Sequence, residues 1–134
     1  MHKTKIVTTF LTNSDKILLL KRSQKVKSMK NLWAGISGII EGDEEPVKRA
    51  KIEVYEEVGI EEWNIKLIKE GDVILIESPQ YENHQWEVYP FLFSCDNREV
   101  KLNWENSDSK WISVNELNDF TTVPSLDKVL TRLF

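Results

Sequence analysis

The stretch that most constrains this chain runs from Gly38 to Ile60, GIIEGDEEPVKRAKIEVYEEVGI. Its middle must be a helix. Pro46 suits a first helical position, where a missing N–H costs nothing; acidic Glu44 and Glu45 suit the positive N-terminus, and Gly59 supplies a left-handed stop. Val47, Ala50, Val54 and Val58 recur at helical spacing and form an apolar stripe.

Glu53, Glu56 and Glu57 fall on an adjoining face, within about one turn of each other. Like charges at i, i+3 and i+4 cost an isolated helix about 0.2–0.5 kcal/mol per pair, and the C-terminal end of the helix dipole disfavours anions. Helix stability alone does not select this arrangement. Taken by themselves the carboxylates admit two readings, a solvated acidic face or a site for a hard divalent cation. Mg²⁺ takes oxygen ligands, keeps several waters and bridges carboxylates to substrate phosphates.

Counted from Gly38, the chain gives Gly, five residues, Glu44, seven residues, Ile52, Glu53, Val54, one residue, Glu56, Glu57, one residue, Gly59 and Ile60. This resembles the Nudix box, Gx5Ex7REUxEExGU with U a bulky aliphatic residue, at every specified position but one. The resemblance implies a MutT-like α/β/α sandwich with a central mixed sheet, occupying residues 1–134 as a single domain. It further implies a Mg²⁺-dependent hydrolase, with Mn²⁺ as an alternative, that cleaves a nucleoside diphosphate linked to a further group X by water attack on phosphorus. Glu53, Glu56, Glu57 and the carbonyl of Gly38 become the expected metal ligands, and the glutamates the expected catalytic set. Glu44 is expected to brace the loop and the helix start, and Gly59 to end the helix.

The exception is Ile52, where the family carries an arginine that orients the metal-binding glutamates. Arg49 lies one turn before Glu53, and the working hypothesis is that it supplies the missing positive charge. Unchanged turnover and metal affinity in Arg49→Ala would refute it. Farther along, NWENSDSKWISVNEL is similar to a segment of many Nudix proteins, which carry an acidic residue ahead of a tryptophan strand and a following EL. This makes Glu105 a candidate fourth ligand or water-activating base.

Outside the box the signals are fewer. Residues 1–30 carry eight Lys and Arg against Asp15 alone, although the net charge of the chain is −4. Lys21, Arg22, Lys25, Lys27 and Lys30 account for most of them, either as a solubilising loop or as an attraction for a polyphosphate. Arg22 and Lys30 are therefore candidate substrate contacts. The basic run lacks interleaved aromatics, so nucleic acid is not an expected partner. Trp33, Tyr81 and Trp86 are candidate surfaces for stacking on a base, with core or rim positions as the plainer reading. An ordinary or oxidised nucleoside triphosphate is the expected substrate. The residues by which some subfamilies mark ADP-ribose or dinucleoside polyphosphate hydrolases are not found at Ile74–Glu77.

With 134 residues and 40% hydrophobic composition the chain can bury one core. It has no apolar run of about 18 residues to span a bilayer, and the N-terminal MHKTKIVTTF is too short in its apolar part for a secretory signal. No membrane partner and a cytoplasmic location are expected. The single Cys95 cannot form an internal disulfide and is expected as a small buried hydrophobe on a strand. A monomer or a homodimer is equally consistent with the sequence.

Periodicity predicts strands at 4–12, 16–21, 32–40, 65–69, 73–77, 86–95 and 110–113, a helical turn at 114–120, and a closing helix after Pro124 and Ser125. Pro90 should confine part of 86–95 to an edge or a bulge. Leu126, Val129, Leu130 and Leu133 form the apolar face of the closing helix. Two rival functions share this fold. Isopentenyl diphosphate isomerase uses a cysteine just ahead of the box, where this chain has Ser37 in WAGISG. A nucleotide-binding sensor without turnover fits Ile52 but not the intact glutamates.

Overall fold

The computed structural model describes residues 2–78 and 82–134. A mixed sheet is built from β1 (His2–Asn13), β2 (Lys16–Arg22), β3 (Trp33–Ala34), β4 (Ile36–Ile39), β5 (Ile65–Glu70), β6 (Ile74–Glu77), β7 (His84–Cys95) and β8 (Asn106–Ile112). Its main path is β3-β2-β1-β7-β5, with β4 on β1, β6 on β7 and β8 on β2. The long pairing of β1 with β7 is parallel, from His2 opposite His84 to Thr12 opposite Ser94, and the other pairings are antiparallel.

Strand alternation splits the core in two. Leu18, Leu20, Phe91 and Phe93 face one side, where Ala50, Val54 and Val58 of helix α1 (Pro46–Val58) cover them. Ile17, Leu19, Val88 and Leu92 face the other, covered by Leu126, Val129, Leu130 and Leu133 at helix α2 (Leu126–Thr131) and by Leu117 of a 3₁₀ turn at Val114–Asp119. The expected sandwich is therefore present, with helical segments on both faces of the sheet. Cys95 ends β7 as a buried side chain, and burial pushes its thiol up from the ordinary value. Among the described residues no helix is long and apolar enough to cross a membrane.

Two expectations about strands are corrected. The predicted strand 32–40 is broken at Gly35, because β3 pairs with β2 while β4 pairs with β1. At the crossing a Cβ on Gly35 would lie 3.1 Å from Thr8 Cγ2 and from the Thr9 carbonyl oxygen, so a side chain would fit only if β1 gave way by a few tenths of an ångström. Pro90 lies in the middle of the sheet rather than at its edge, opposite Thr8 of β1. Its carbonyl accepts from Gly71 N at 2.9 Å, on the side where β5 has ended and β6 has not begun. A residue's N–H and C=O leave a strand on the same side, so the N–H that proline lacks would have met this gap.

Helix α1 starts and stops as its sequence requires. Pro46 occupies its first turn, and Gly59 takes φ 74° with its N–H donated to Tyr55 O. The glutamate-bearing face is thereby fixed over β4, the strand that carries Gly38.

Candidate active site

A cleft of about 690 Å³ opens where α1, β4, the turn after β2 and the segment before β8 meet. Glu53, Glu56 and Arg49 line it from α1, Ser37 and Gly38 from β4, Arg22 from the end of β2, and Glu105 from the segment before β8. Ile6, Ile76, Trp86, Val88, Val123, Leu126 and Val129 give it apolar walls.

The glutamates of α1 do not share one environment. Glu53 and Glu57 are buried, at 7% and 4% exposure, whereas Glu56 is exposed. Burial raises the Glu53 carboxyl above its ordinary value, an effect the Arg49 hydrogen bond opposes. Burial raises Glu57 much further, and the nearby charge of Glu105 adds to the shift. Asn106 Nδ2 donates to Glu57 Oε1 at 3.1 Å, while Glu57 Oε2 is buried with no donor. Its neighbour is the Glu53 carboxyl, and two carboxylates offer each other no hydrogen unless one is protonated, so a shared proton, a cation or a bridging water would satisfy Oε2.

Gly38 owes its identity to Glu53. A Cβ at Gly38 would overlap the Glu53 side chain through its Cγ and carboxyl carbon, so glycine is what lets the carboxylate lie over β4. Arg49 completes this corner. Its Nη1 donates to Glu53 Oε2 at 3.0 Å, and its Nε and Nη2 donate to Glu44 Oε1 and Oε2 at 3.0 and 2.7 Å. Glu44 also accepts from Glu41 N at 2.7 Å. The Arg49 hydrogen bond, with this backbone bond, holds the Glu44 carboxyl below the usual range, and the carboxylates hold Arg49 above its own. Glu44 thus ties the loop before α1 to the helix.

Glu105 is held from its own segment, since Asn103 Nδ2 donates to Glu105 Oε1 at 3.2 Å. Arg22 faces the acidic wall. Its Nε and Nη2 donate to Ser28 O at 3.2 and 3.0 Å, and burial lowers its pKa against the raising influence of Glu57 and Glu105.

Other candidates from the sequence fall elsewhere. Trp33 does not line the cleft; it packs edge-on against Phe120, with ring centroids 5.2 Å apart, because its backbone is tied to Thr121 and Val123. Lys30 is exposed and away from the cleft lining, as its turn points it to solvent. Tyr81 lies outside the described residues. Trp86 does line the cleft. Asn106 was not singled out from the sequence, where an asparagine in a polar run carries no mark of burial.

The divalent cation implied by the box is compatible with these residues. Oxygen donors alone, one of them buried without a donor and two with raised pKa values, are the set that a hard cation takes. Among the described residues, no three His, Cys, Asp or Glu side chains converge closely enough to hold an ion as they stand. Arg49 engages Glu53, and Asn103 engages Glu105.

Comparison with known proteins agrees with this architecture. The family model described as NUDIX domain matches residues 2–133. The crystal structure of a MutT protein from Methanosarcina mazei Go1 superposes with a TM-score of 0.76 at 21% identity, covering 98% of this chain and 92% of that one. A MutT NUDIX hydrolase from Burkholderia pseudomallei gives 0.77 at 15% identity, with both chains covered at 100%. A C. elegans Ap4A hydrolase, solved as a binary complex, gives 0.75 at 17% identity, covering 99% of this chain and 95% of that one. At such identities the likeness is one of fold. No curated protein sequence matches the chain significantly.

Proposed function

Since the chain belongs to the Nudix family and is a hydrolase acting on phosphoanhydride bonds, we propose that it is a Mg²⁺-dependent pyrophosphohydrolase of nucleoside diphosphates linked to a further group X. A nucleoside triphosphate, ordinary or oxidised, is the proposed substrate. The observation that carries this reading is the buried pair Glu53 and Glu57, of which Glu53 lines the cleft while Glu57 lies beneath its surface with no hydrogen-bond donor on Oε2.

Glu53, Glu56, Glu57 and the Gly38 carbonyl are the groups that would hold the ion, with Glu105 left to act as the base. When bound, Mg²⁺ supplies positive charge to neutralise the phosphates and to acidify water. The chain's own residues do the rest. Arg22 lines the cleft beside Glu105 and is placed to meet the phosphates, and a guanidinium suits them because it presents several donors in one plane. Glu105 accepts a proton from the attacking water as its oxygen bonds to phosphorus, and the bridging P–O bond breaks with its electron pair leaving on the departing phosphate. Arg49 does not touch substrate; it sets the position of Glu53. The apolar walls hold the base and exclude water around it.

The test is product release from a panel of nucleoside triphosphates, oxidised nucleotides, nucleotide sugars, ADP-ribose and dinucleoside polyphosphates, with and without Mg²⁺. Magnesium-dependent turnover that vanishes in Glu57→Gln is the expected result. Nucleotide-dependent thermal stabilisation with no product from any compound would instead identify a binding module.

A further inference from the structure

One polar contact in the acidic wall depends on an irregularity of the sheet. In β2, Ile17 and Leu19 face the α2 side and Leu18 and Leu20 the α1 side, so Arg22 continues the α1 series. β8 follows in strict register, with Ile112 opposite Ile17, Trp111 opposite Leu18 and so on to Asp108 opposite Lys21. Continued alternation from Ile112 would put Asn106 on the α2 side. The register shifts instead between Lys21 and Arg22, Ser107 becomes the extra residue, and Asn106 pairs with Arg22. The bulge turns Asn106 to the α1 face, where it is 7% exposed and its amide donates to Glu57 Oε1 at 3.1 Å.

The backbone around it is clamped. Ser23 N donates to Glu105 O at 2.8 Å, Ser23 Oγ donates to Trp104 O at 2.8 Å, and Asn106 N donates to Asn103 O at 3.4 Å. A buried, fixed donor thus occupies one oxygen of a buried glutamate, while the other has no donor and only the Glu53 carboxyl beside it.

We propose that Asn106 is a positioning residue, whose amide fixes Glu57 through Oε1 and so leaves Oε2 as the oxygen available to a divalent cation. The inference rests on the hydrolase reading and extends it to a residue outside the box. An outer partner that orients a metal-ligating carboxylate is worth about 10- to 100-fold in metal affinity.

Calorimetric titration of Mn²⁺ into the full chain without nucleotide tests this, using wild type, Asn106→Ala and Asn106→Leu. The leucine variant keeps nearly the size of asparagine and lacks the donor, so it serves if the alanine variant fails to fold. Thermal melts in chelator accompany each titration. The expected result is an Mn²⁺ affinity about 10- to 100-fold weaker in both folded variants, and a rate that recovers toward wild type at saturating metal. A lowered melting temperature with unchanged Mn²⁺ affinity would overturn the proposal and leave Asn106 a packing role. Wild type that takes up no Mn²⁺ would overturn the metal reading itself, a failure distinct from equal affinity in all three proteins.

Discussion

Arg49 holds Glu53 from one helical turn away, with Nη1 3.0 Å from Oε2, while the rest of the same guanidinium grips both oxygens of Glu44. The family's arginine is absent at position 52, where Ile52 is 39% exposed, so Arg49 is the cation left to orient Glu53. Arg49→Ala should lower magnesium-dependent turnover about 10- to 100-fold, the usual effect of losing a partner that orients a ligand. Ile52→Arg added to that variant should restore most of the loss. Glu44→Gln weakens the same cluster without freeing Glu53, so it should lower the melting temperature more than the rate. Steady-state kinetics and melts of the four proteins check this, and a double variant no better than Arg49→Ala would sink the exchange.

How far the sequence reached depends on the range of each signal. The α1 helix carried both its ends within one local stretch, and Pro46 and Gly59 lie where spacing predicts. Gly35 and Pro90 misled because their roles depend on strands remote in sequence: one makes room for β1, the other faces the gap between β5 and β6. Asn106 was invisible for the same reason, since a register shift against β2 decides which side it faces. Trp33 shows the converse limit. Nothing in its neighbours distinguishes an aromatic that lines a cleft from one that packs on Phe120.

Gly38 offers a sharper test of geometry than any charged residue. Gly38→Ala places a methyl group where the Glu53 side chain lies, so Glu53 must move off β4. Overpacking of this kind costs about 1–3 kcal/mol. The variant should fold with a reduced melting temperature and bind Mn²⁺ much more weakly than wild type. Wild-type Mn²⁺ affinity in calorimetry would mean that Glu53 has slack at this contact.

Stability without metal should depend on pH in a definite direction. Glu53 and Glu57 have folded-state pKa values above the ordinary 4.5, so the folded chain binds more protons than the unfolded one above that pH. Their contribution is complete below about pH 4.5 and is lost as pH rises through the raised values. Glu44 and Glu116 are shifted down, so theirs is present above 4.5 and fades only in stronger acid. Melting temperature in chelator should therefore fall from about pH 5 toward neutrality, and Mg²⁺ should offset much of that fall. A flat profile across this range would contradict the raised carboxyls.

The same burial predicts a trade between stability and function at Glu57. Glu57→Gln removes a buried charge beside Glu53 and Glu105 and keeps an oxygen for the Asn106 amide. Its new N–H₂ can donate toward Glu53. The metal-free variant should melt about 3–6 °C higher than wild type, equivalent to about 1 kcal/mol in a chain of this size, while losing magnesium-dependent turnover. Lower stability than wild type would show that the carboxyl of Glu57 is better satisfied than its donor-free Oε2 indicates.

Selection of the base should be weak, for a reason visible in the cleft walls. Ile6, Ile76, Trp86, Val88, Val123, Leu126 and Val129 bring no charged side chain to that part of the lining. Apolar contacts separate related substrates by only about 10- to 200-fold, far less than a site built from hydrogen-bond partners. Across nucleoside triphosphates that differ only in the base, kcat/KM should stay within that range. Trp86→Ala should raise KM about tenfold with kcat nearly unchanged, because an aromatic wall binds substrate and transition state alike. A discrimination of about 10⁴ between bases, or a loss in kcat alone, would mean that the unpaired Trp86 Nε1–H, the one polar group on these seven side chains, reads the base by a hydrogen bond.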